Sequence, residues 1–400
     1  MGRSRLRVAV FSSEYPPHVY GGLGKHVAEM TTALAGPVAF DLFVPAQGDY
    51  STCPATISLK EVAVTDGENN ALLWLNYCKA AVNLAVGGSL DIDLLHCHDW
   101  ITVAAGIKLR QLLNKPLVFN VHLPQVVKTY QSLEQLGLLY ADLVLVNSTA
   151  VADEIRARDL PVRRLEVVPN GVDVNSFTPS FVSSDSLQQI LFVGRLVPQK
   201  GITVLLQAFR TVLVRCPDAK LIIAGDGEME LFLKRVASYL GVRHRVSFVS
   251  WQTGTSLVDL YRKATCVVIP SFYEPFGIVA LEAMACGCPV VASDTGGLKE
   301  IVTDGVNGYL VPIGEYLTLA QRIATLLLDR DRRKAMAIAA RARAAQYSWS
   351  RSAEQTLDLY ETLAGAKNRT PLPEINRHVT AAIVDSMDEE VRRIVNSIIN

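Results

Sequence analysis

Three segments of this chain gather cations, carboxylates and imidazoles at the ends of apolar runs. Gly194-Arg195-Leu196-Val197-Pro198-Gln199-Lys200-Gly201 sets a guanidinium and an ammonium five residues apart, where an apolar run gives way to a helical pattern. Arg can fork to two phosphate oxygens, Lys adds a point charge, and a helix start contributes its own N–H groups. That set suits a diphosphate, although two solvated cations flanking a helix start would read the same way. Pro270-Ser271-Phe272-Tyr273-Glu274-Pro275-Phe276-Gly277-Ile278 leads from a second apolar run into another helix, so the N–H groups around Phe276, Gly277 and Ile278 form a second anion site. Glu282 follows Glu274 by eight residues, just over two helical turns, which spaces the two carboxylates for different parts of one extended ligand. A carboxylate accepts two hydrogen bonds and suits the paired hydroxyls of a sugar or ribose. The apolar neighbours of Glu282, from Val279 to Met284, imply that it is buried and partnered. The third segment is His96-Cys97-His98-Asp99-Trp100: alternation puts both histidines on one face, with His98 nearer the strand's carboxyl end. Asp99 either orients an imidazole or caps the next helix at Thr102, and Asn120-Val121-His122 ends the following strand on the same side.

Other chemistries are excluded by what is missing. Gly22-Leu23-Gly24-Lys25-His26-Val27 has Val where the dinucleotide fingerprint needs its third glycine, and it lies about ten residues past the first strand. Lys25 is followed by His26, so there is no Walker A loop, and HExxH and GxSxG are absent. Asp91-Ile92-Asp93 matches a short metal-binding pattern but runs straight into an apolar strand, which favours a capping role, so no metal ligand and no cofactor is expected. Lys plus Arg equals Asp plus Glu at 39 each, which argues against a nucleic-acid binder. Seven cysteines without framework spacing fit free thiols in a reducing compartment, and Cys286 and Cys288 read as core. No window holds the roughly 20 apolar residues of a membrane span, and the basic N-terminus lacks a signal-peptide pattern. The expected location is cytoplasmic.

The elements that must position these groups alternate between short β-branched runs and helix-period segments, the mark of parallel α/β sheets. Strands are expected at 6–12, 40–44, 93–97, 117–121, 143–147 and 165–168, then at 190–194, 221–225, 246–249, 266–270, 289–293 and 309–312. Four hundred residues exceed one core. The Ser-rich stretch 178–186 is the linker candidate, which gives a first doubly wound Rossmann-like domain over 1–178 and a second over 187–345. Ligands of such sheets sit at the carboxyl ends of the strands, here in a cleft between the domains. The helix at 346–365 packs back on the first domain, and 366–400 is a linker followed by an amphipathic tail helix. That tail's apolar stripe (Ile375, Val379, Ile383, Met387, Val391, Ile394, Ile398) either packs on its own chain or mediates homo-oligomer contacts.

Taken in order, GGLG, HCHDW, PNGVD, FVGRLVPQKG, AGDGE, EPFG with its later glutamate, and SDTGGLKEIV closely resemble the retaining nucleotide-sugar glycosyltransferases of the glycogen synthase-like family. The resemblance covers residues 6 to about 364 and implies the GT-B fold. It also implies transfer of a hexosyl unit from a nucleoside diphosphate sugar to a carbohydrate acceptor, with the α configuration kept and no essential metal. On this resemblance Arg195 and Lys200 neutralise the leaving diphosphate, Glu274 contacts the donor sugar, and His98 lies near its reacting face. The N–H groups of Phe276, Gly277 and Ile278 hold the donor, Glu282 binds the ribose, and the backbone of Gly22 lets the diphosphate approach. Gly21, His122, Gly194 and Gly225 join the donor-binding set. Where glycogen and starch synthases carry a lysine before GGLG, this chain has Val19-Tyr20; Glu14-Tyr15-Pro16-Pro17 is more similar to α-maltose-1-phosphate synthases. The expected donor is ADP- or UDP-glucose. The competing readings are a lipid or polyol acceptor, a GT-B epimerase, or a nucleotide-sugar binder without activity.

Overall fold

The structure, a computed structural model, describes residues 5–46, 49–51, 53–64, 70–88, 90–179, 188–366 and 375–399. The chain divides into two compact units, one of residues 1–169 with 350–400 and one of residues 170–349. The first begins β1 (Leu6–Phe11), α1 (Gly22–Ala33), β2 (Val38–Pro45), β3 (Ile57–Val62), α2 (Asn70–Gly87), β4 (Leu94–His98) and α3 (Asp99–Leu113). It continues β5 (Leu117–Val121), α4 (Lys128–Tyr140), β6 (Leu143–Val146), α5 (Thr149–Arg156) and β7 (Leu165–Val167). These strands form one parallel sheet in the order β3-β2-β1-β4-β5-β6-β7. Its central strands β4, β5 and β6 are buried along their whole length, as expected when helices cover both faces.

The second unit runs β8 (Gln189–Val193), α6 (Ile202–Arg215), β9 (Lys220–Ala224), α7 (Glu230–Tyr239), β10 (Val246–Val249), α8 (Gly254–Lys263) and β11 (Cys266–Ile269). Then follow α9 (Ile278–Ala285), β12 (Val290–Ser293), α10 (Leu298–Ile301), β13 (Gly308–Val311), α11 (Tyr316–Leu328) and α12 (Arg330–Ala344). Its sheet is again parallel, in the order β10-β9-β8-β11-β12-β13. Two core clusters flank it: Phe192, Leu205, Phe209 and Ile323 lie in one, and Leu191, Tyr261, Leu281 and Met284 in the other. Each unit is thus a doubly wound Rossmann-like domain.

Helices α13 (Trp349–Gly365), α14 (Ile375–Asp385) and α15 (Glu389–Ile399) complete the first unit. The stripe anticipated as one helix is broken at Ser386-Met387-Asp388. There the Ser386 hydroxyl donates to Ile383 O at 2.7 Å, and the acidic run Asp388-Glu389-Glu390 supplies a fresh helix start. The two halves fold onto the chain's own helices, α14 on α4 and α15 on α2 and α3. Val384, Met387, Val391, Val395 and Ile398 enter the first unit's core, each worth roughly 1.5–3 kcal/mol when fully buried. Thr129 donates to Asp388 Oδ2 at 3.2 Å and helps hold the break in place. The face offered for homo-oligomer contacts is therefore already covered. Strand β3 was not anticipated, and the division falls after Pro169 instead of in the Ser-rich stretch, of which 180–186 lie outside the described residues, as does the expected linker 367–373.

Candidate functional site

In doubly wound sheets ligands gather where the strand order reverses, because the loops at the carboxyl ends of those two strands diverge. In the first unit that point lies between β1 and β4, and in the second between β8 and β11. All the chemistry-bearing segments follow one of these strands or an immediate neighbour.

After β1 the chain passes through Glu14 to Gly21 and Gly22, the start of α1. No side chain at the N-cap Gly21 caps this helix. Glu14 does so from a distance: its Oε2 accepts from the N–H groups of Tyr20, Gly21 and Gly24 at 2.9, 3.1 and 3.3 Å. Three N–H groups at this helix start are thus engaged by the protein's own carboxylate, and Gly22, the residue expected to let a diphosphate approach, lies among them. The same approach explains Gly24, where an added Cβ would lie 2.9 Å from Glu14 Cβ and 3.0 Å from Val19 Cγ2.

After β4, His96 and His98 do share a face and stack with ring centroids 4.3 Å apart. His96 Nδ1 meets the hydroxyl of Tyr360, on α13, at 2.5 Å. His98 Nδ1 lies 2.9 Å from His122 Nε2, so β4 and β5 bring those two candidates into direct contact. A third imidazole, His26 from α1, packs edge-on against both, at 4.6 Å from His122 and 5.5 Å from His98. Burial first and neighbouring imidazoles second hold His98 and His122 well below the usual histidine range; burial and then His26 take His96 down to about 3. All three are neutral at pH 7. Asp99 neither orients an imidazole through its side chain nor caps Thr102: its Oδ1 accepts the His122 backbone N–H at 2.7 Å, while Thr102 donates to His98 O at 3.0 Å. Burial pushes the Asp99 carboxyl well above the usual range, against the pull of that N–H. The loop after β5 is braced by the buried Glu134, which accepts from Gln125 N at 3.2 Å and pairs with Arg158. Burial raises Glu134 to about 7 in spite of Arg158.

In the second unit Gly194 follows the last residue of β8. Gly225, which follows the neighbouring β9, must be glycine because an added Cβ would meet Gly194 O at 2.0 Å. Both glycines therefore serve the close approach of two strand ends and set the course of the loop carrying Arg195. Arg195 is exposed. Lys200 is half-buried and its Nζ contacts Glu274 Oε2 at 2.6 Å; Ser271 donates to the same oxygen at 3.2 Å. Phe272 N donates to Gln199 O at 2.9 Å and Gly297 N to Glu274 O at 3.0 Å, so the loops after β8, β11 and β12 are tied into one surface. Gly277 is the N-cap of α9, which begins at Ile278 with Phe276 buried just before it. Glu282 is buried inside α9, as its neighbours implied, and accepts from the Tyr261 hydroxyl at 2.7 Å. Burial, and then the charge of Glu282, raise Tyr261 well above the usual phenol range.

The candidates thus form two sets: Gly21, Gly22, His98 and His122 in the first unit, and Gly194, Arg195, Lys200, Gly225, Glu274, Phe276, Gly277, Ile278 and Glu282 in the second. Asp91 and Asp93 stand apart at the amino ends of the strands. Asp91 pairs with Arg7 at 2.7 Å and Asp93 accepts the Arg7 backbone N–H at 2.9 Å, the capping role expected of them.

Family models agree with this layout: residues 20–176 match Glycosyltransferase Family 4 and residues 177–343 match Glycosyl transferases group 1. α-Maltose-1-phosphate synthase of Mycolicibacterium smegmatis is 32% identical over 402 residues, spanning 90% of this chain and all of that protein. The chain belongs to the group 1 glycosyltransferases. D-inositol 3-phosphate glycosyltransferase of Corynebacterium jeikeium is 37% identical to this glycosyltransferase over 313 residues, 70% of this chain and 74% of that one. Among solved structures, sucrose-phosphate synthase from Thermosynechococcus elongatus is 25% identical and superposes with a TM-score of 0.79 over 90% of this chain and 99% of its own. The resemblance read from the ordered motifs is borne out, and so is the GT-B class of its two Rossmann-like units. Among the described residues no helix is long and apolar enough to cross a membrane.

Proposed function

We propose that this glycosyltransferase moves a glucosyl unit, with its α configuration kept, from ADP- or UDP-glucose to a glucan, a maltooligosaccharide or, with most support, a phosphorylated sugar or polyol. The observation that carries the reading is the Lys200–Glu274 contact at the β8/β11 switch point, between the loop that also carries Arg195 and the loop that leads into α9. It sets cations next to a carboxylate suited to sugar hydroxyls, which is what a sugar diphosphate asks of a site. Two relatives named for phosphorylated small molecules favour an acceptor of that kind.

In this mechanism the bond from the sugar's C1 to the diphosphate oxygen breaks, and negative charge builds on the departing diphosphate. Arg195, Lys200 and the N–H groups of Phe276, Gly277 and Ile278 receive that charge from fixed positions, so little reorganisation is needed during the reaction. The acceptor oxygen bonds to C1 from the same face and passes its proton to the leaving phosphate oxygen. Glu274 holds the donor's hydroxyls and Glu282 its ribose. In this reading the first unit contributes Gly21, Gly22 and the neutral His98 and His122 to donor binding, while in the second Gly194 and Gly225 keep the backbone clear.

The test is a matrix of ADP-, UDP- and GDP-sugars against glucose phosphates, inositol phosphates, maltooligosaccharides and glucan, read by nucleoside diphosphate release and by the anomeric signal of the product. Turnover confined to GDP-mannose refutes the donor, and a β-linked product refutes retention. Donor isomerised without acceptor identifies an epimerase.

A further inference from the structure

Three imidazoles from three elements meet in the first unit: His26 of α1, His98 at the end of β4 and His122 just past β5. One ligand nitrogen from each falls within a cluster no wider than 4.8 Å, and all three residues are buried. His98 Nδ1 and His122 Nε2 are 2.9 Å apart, while a tetrahedral ion with metal–nitrogen bonds of about 2.0–2.1 Å holds its ligand nitrogens roughly 3.3 Å apart. Gathering the three around one ion opens the His98–His122 pair slightly and draws in any of the other separations, none above 4.8 Å, that exceeds this spacing.

The surroundings brace this set as metal sites are usually braced. Asp99 fixes the His122 backbone at 2.7 Å, and His96, itself bonded to Tyr360, stacks on His98. The donors are all imidazole. Such a set suits Zn²⁺, Cu²⁺, Ni²⁺ or Co²⁺, whereas Mg²⁺, Ca²⁺ and Mn²⁺ prefer oxygen ligands. Three histidines leave a fourth tetrahedral position for water.

We propose that His26, His98 and His122 bind one late first-row divalent cation, Zn²⁺ in the first place, and that the occupied protein does not catalyse transfer. The second half rests on the reading of His98 as a neighbour of the donor sugar, since an ion on its ring removes it from that place. Zn²⁺ then acts as an inhibitor held by residues of the first unit alone.

The experiment uses the full chain with thiols kept reduced, stripped with EDTA and dialysed. Co²⁺ is titrated with the visible d–d bands as readout, and Zn²⁺ is titrated by calorimetry. The expected result is one ion per chain, with tetrahedral Co²⁺ bands lacking thiolate charge transfer, and binding weakened at least about 10-fold in both His26→Gln and His122→Gln. His26→Gln keeps its turnover without metal and escapes inhibition by Zn²⁺. Absence of stoichiometric binding by the wild-type protein overturns the site, as does binding undiminished in both variants, which would place the ion on the cysteines. Binding at the three histidines with turnover unchanged leaves the site standing and removes His98 from the reaction.

Discussion

Replacing Lys200 by Ala separates catalysis from folding. Nζ lies 2.6 Å from Glu274 Oε2, and the two side chains are 19% and 14% exposed. At an effective dielectric of roughly 20–40 their direct attraction is about 3–6 kcal/mol. Most of this is offset by the cost of drying both groups, leaving on the order of 1–2 kcal/mol in the folding free energy. In the reaction the same ammonium faces charge that develops only as the diphosphate leaves. A preorganised group of that kind is worth about 100- to 1000-fold in kcat, or ~2.7–4 kcal/mol. Lys200→Ala should therefore lower kcat by two to three orders of magnitude, with KM for the donor moving far less. A coupled assay of nucleoside diphosphate release gives kcat and KM, and a urea titration gives the stability. Lys200→Arg should recover part of the rate because the charge remains. Near wild-type turnover in Lys200→Ala refutes the assignment, and so does a rate loss that merely follows loss of folded protein.

Three further outcomes follow from the geometry. Tyr261→Phe takes one hydrogen bond of about 0.5–1.5 kcal/mol from Glu282 and should raise the donor KM about 2- to 12-fold at nearly constant kcat; a fall in kcat at constant KM contradicts this. Glu14→Ala strips the shared acceptor from three N–H groups at the start of α1 and should cost about 1–3 kcal/mol in urea unfolding, with Glu14→Gln costing less because its amide oxygen still accepts; an unchanged midpoint refutes the capping role. The third concerns acid. His96, His98 and His122 have folded pKa values below the unfolded one, so their contribution is complete above about pH 6.5 and is lost as pH falls. Glu134 has a raised folded pKa, so its contribution is complete below about pH 4.5 and is lost as pH rises toward 7. Between those limits the two effects oppose. Glu134→Gln should therefore steepen the acid loss of stability by up to ~1.4 kcal/mol per pH unit, measured by urea unfolding at pH 5 and 6.5; an unaltered slope refutes it.

Most of the scaffold was legible because parallel strands buried on both faces announce themselves as runs such as Leu117–Val121. Strand β3 escaped because Ile57-Ser58-Leu59-Lys60-Glu61-Val62 lies at the sheet's edge and is half polar. In the site, the signals that could be read were local. Glu282 announced its burial through five apolar neighbours, and His96 and His98 announced a shared face through alternation. What could not be read was pairing across long separations. Nothing in GGLGKH says that His26 will meet a histidine 72 residues on, or in LYRKA that Tyr261 will hold Glu282. Glu14 sat in plain view beside the glycine turn. Its role depends on the path of the loop between Tyr15 and Tyr20, and composition does not encode that path.

The first unit is interrupted by the whole of the second, and this sets an order of assembly. As the chain leaves the ribosome, residues 170–349 emerge as one uninterrupted block with every strand of their sheet, free to fold without waiting. The strands of residues 6–167 have emerged earlier, yet their fold lacks its closing pieces. Tyr360 has not reached His96, and Val395 and Ile398 have not yet filled the apolar surface over α2 and α3. The domain made first is thus finished second, because its core is closed by residues that follow the whole of the second unit in the chain.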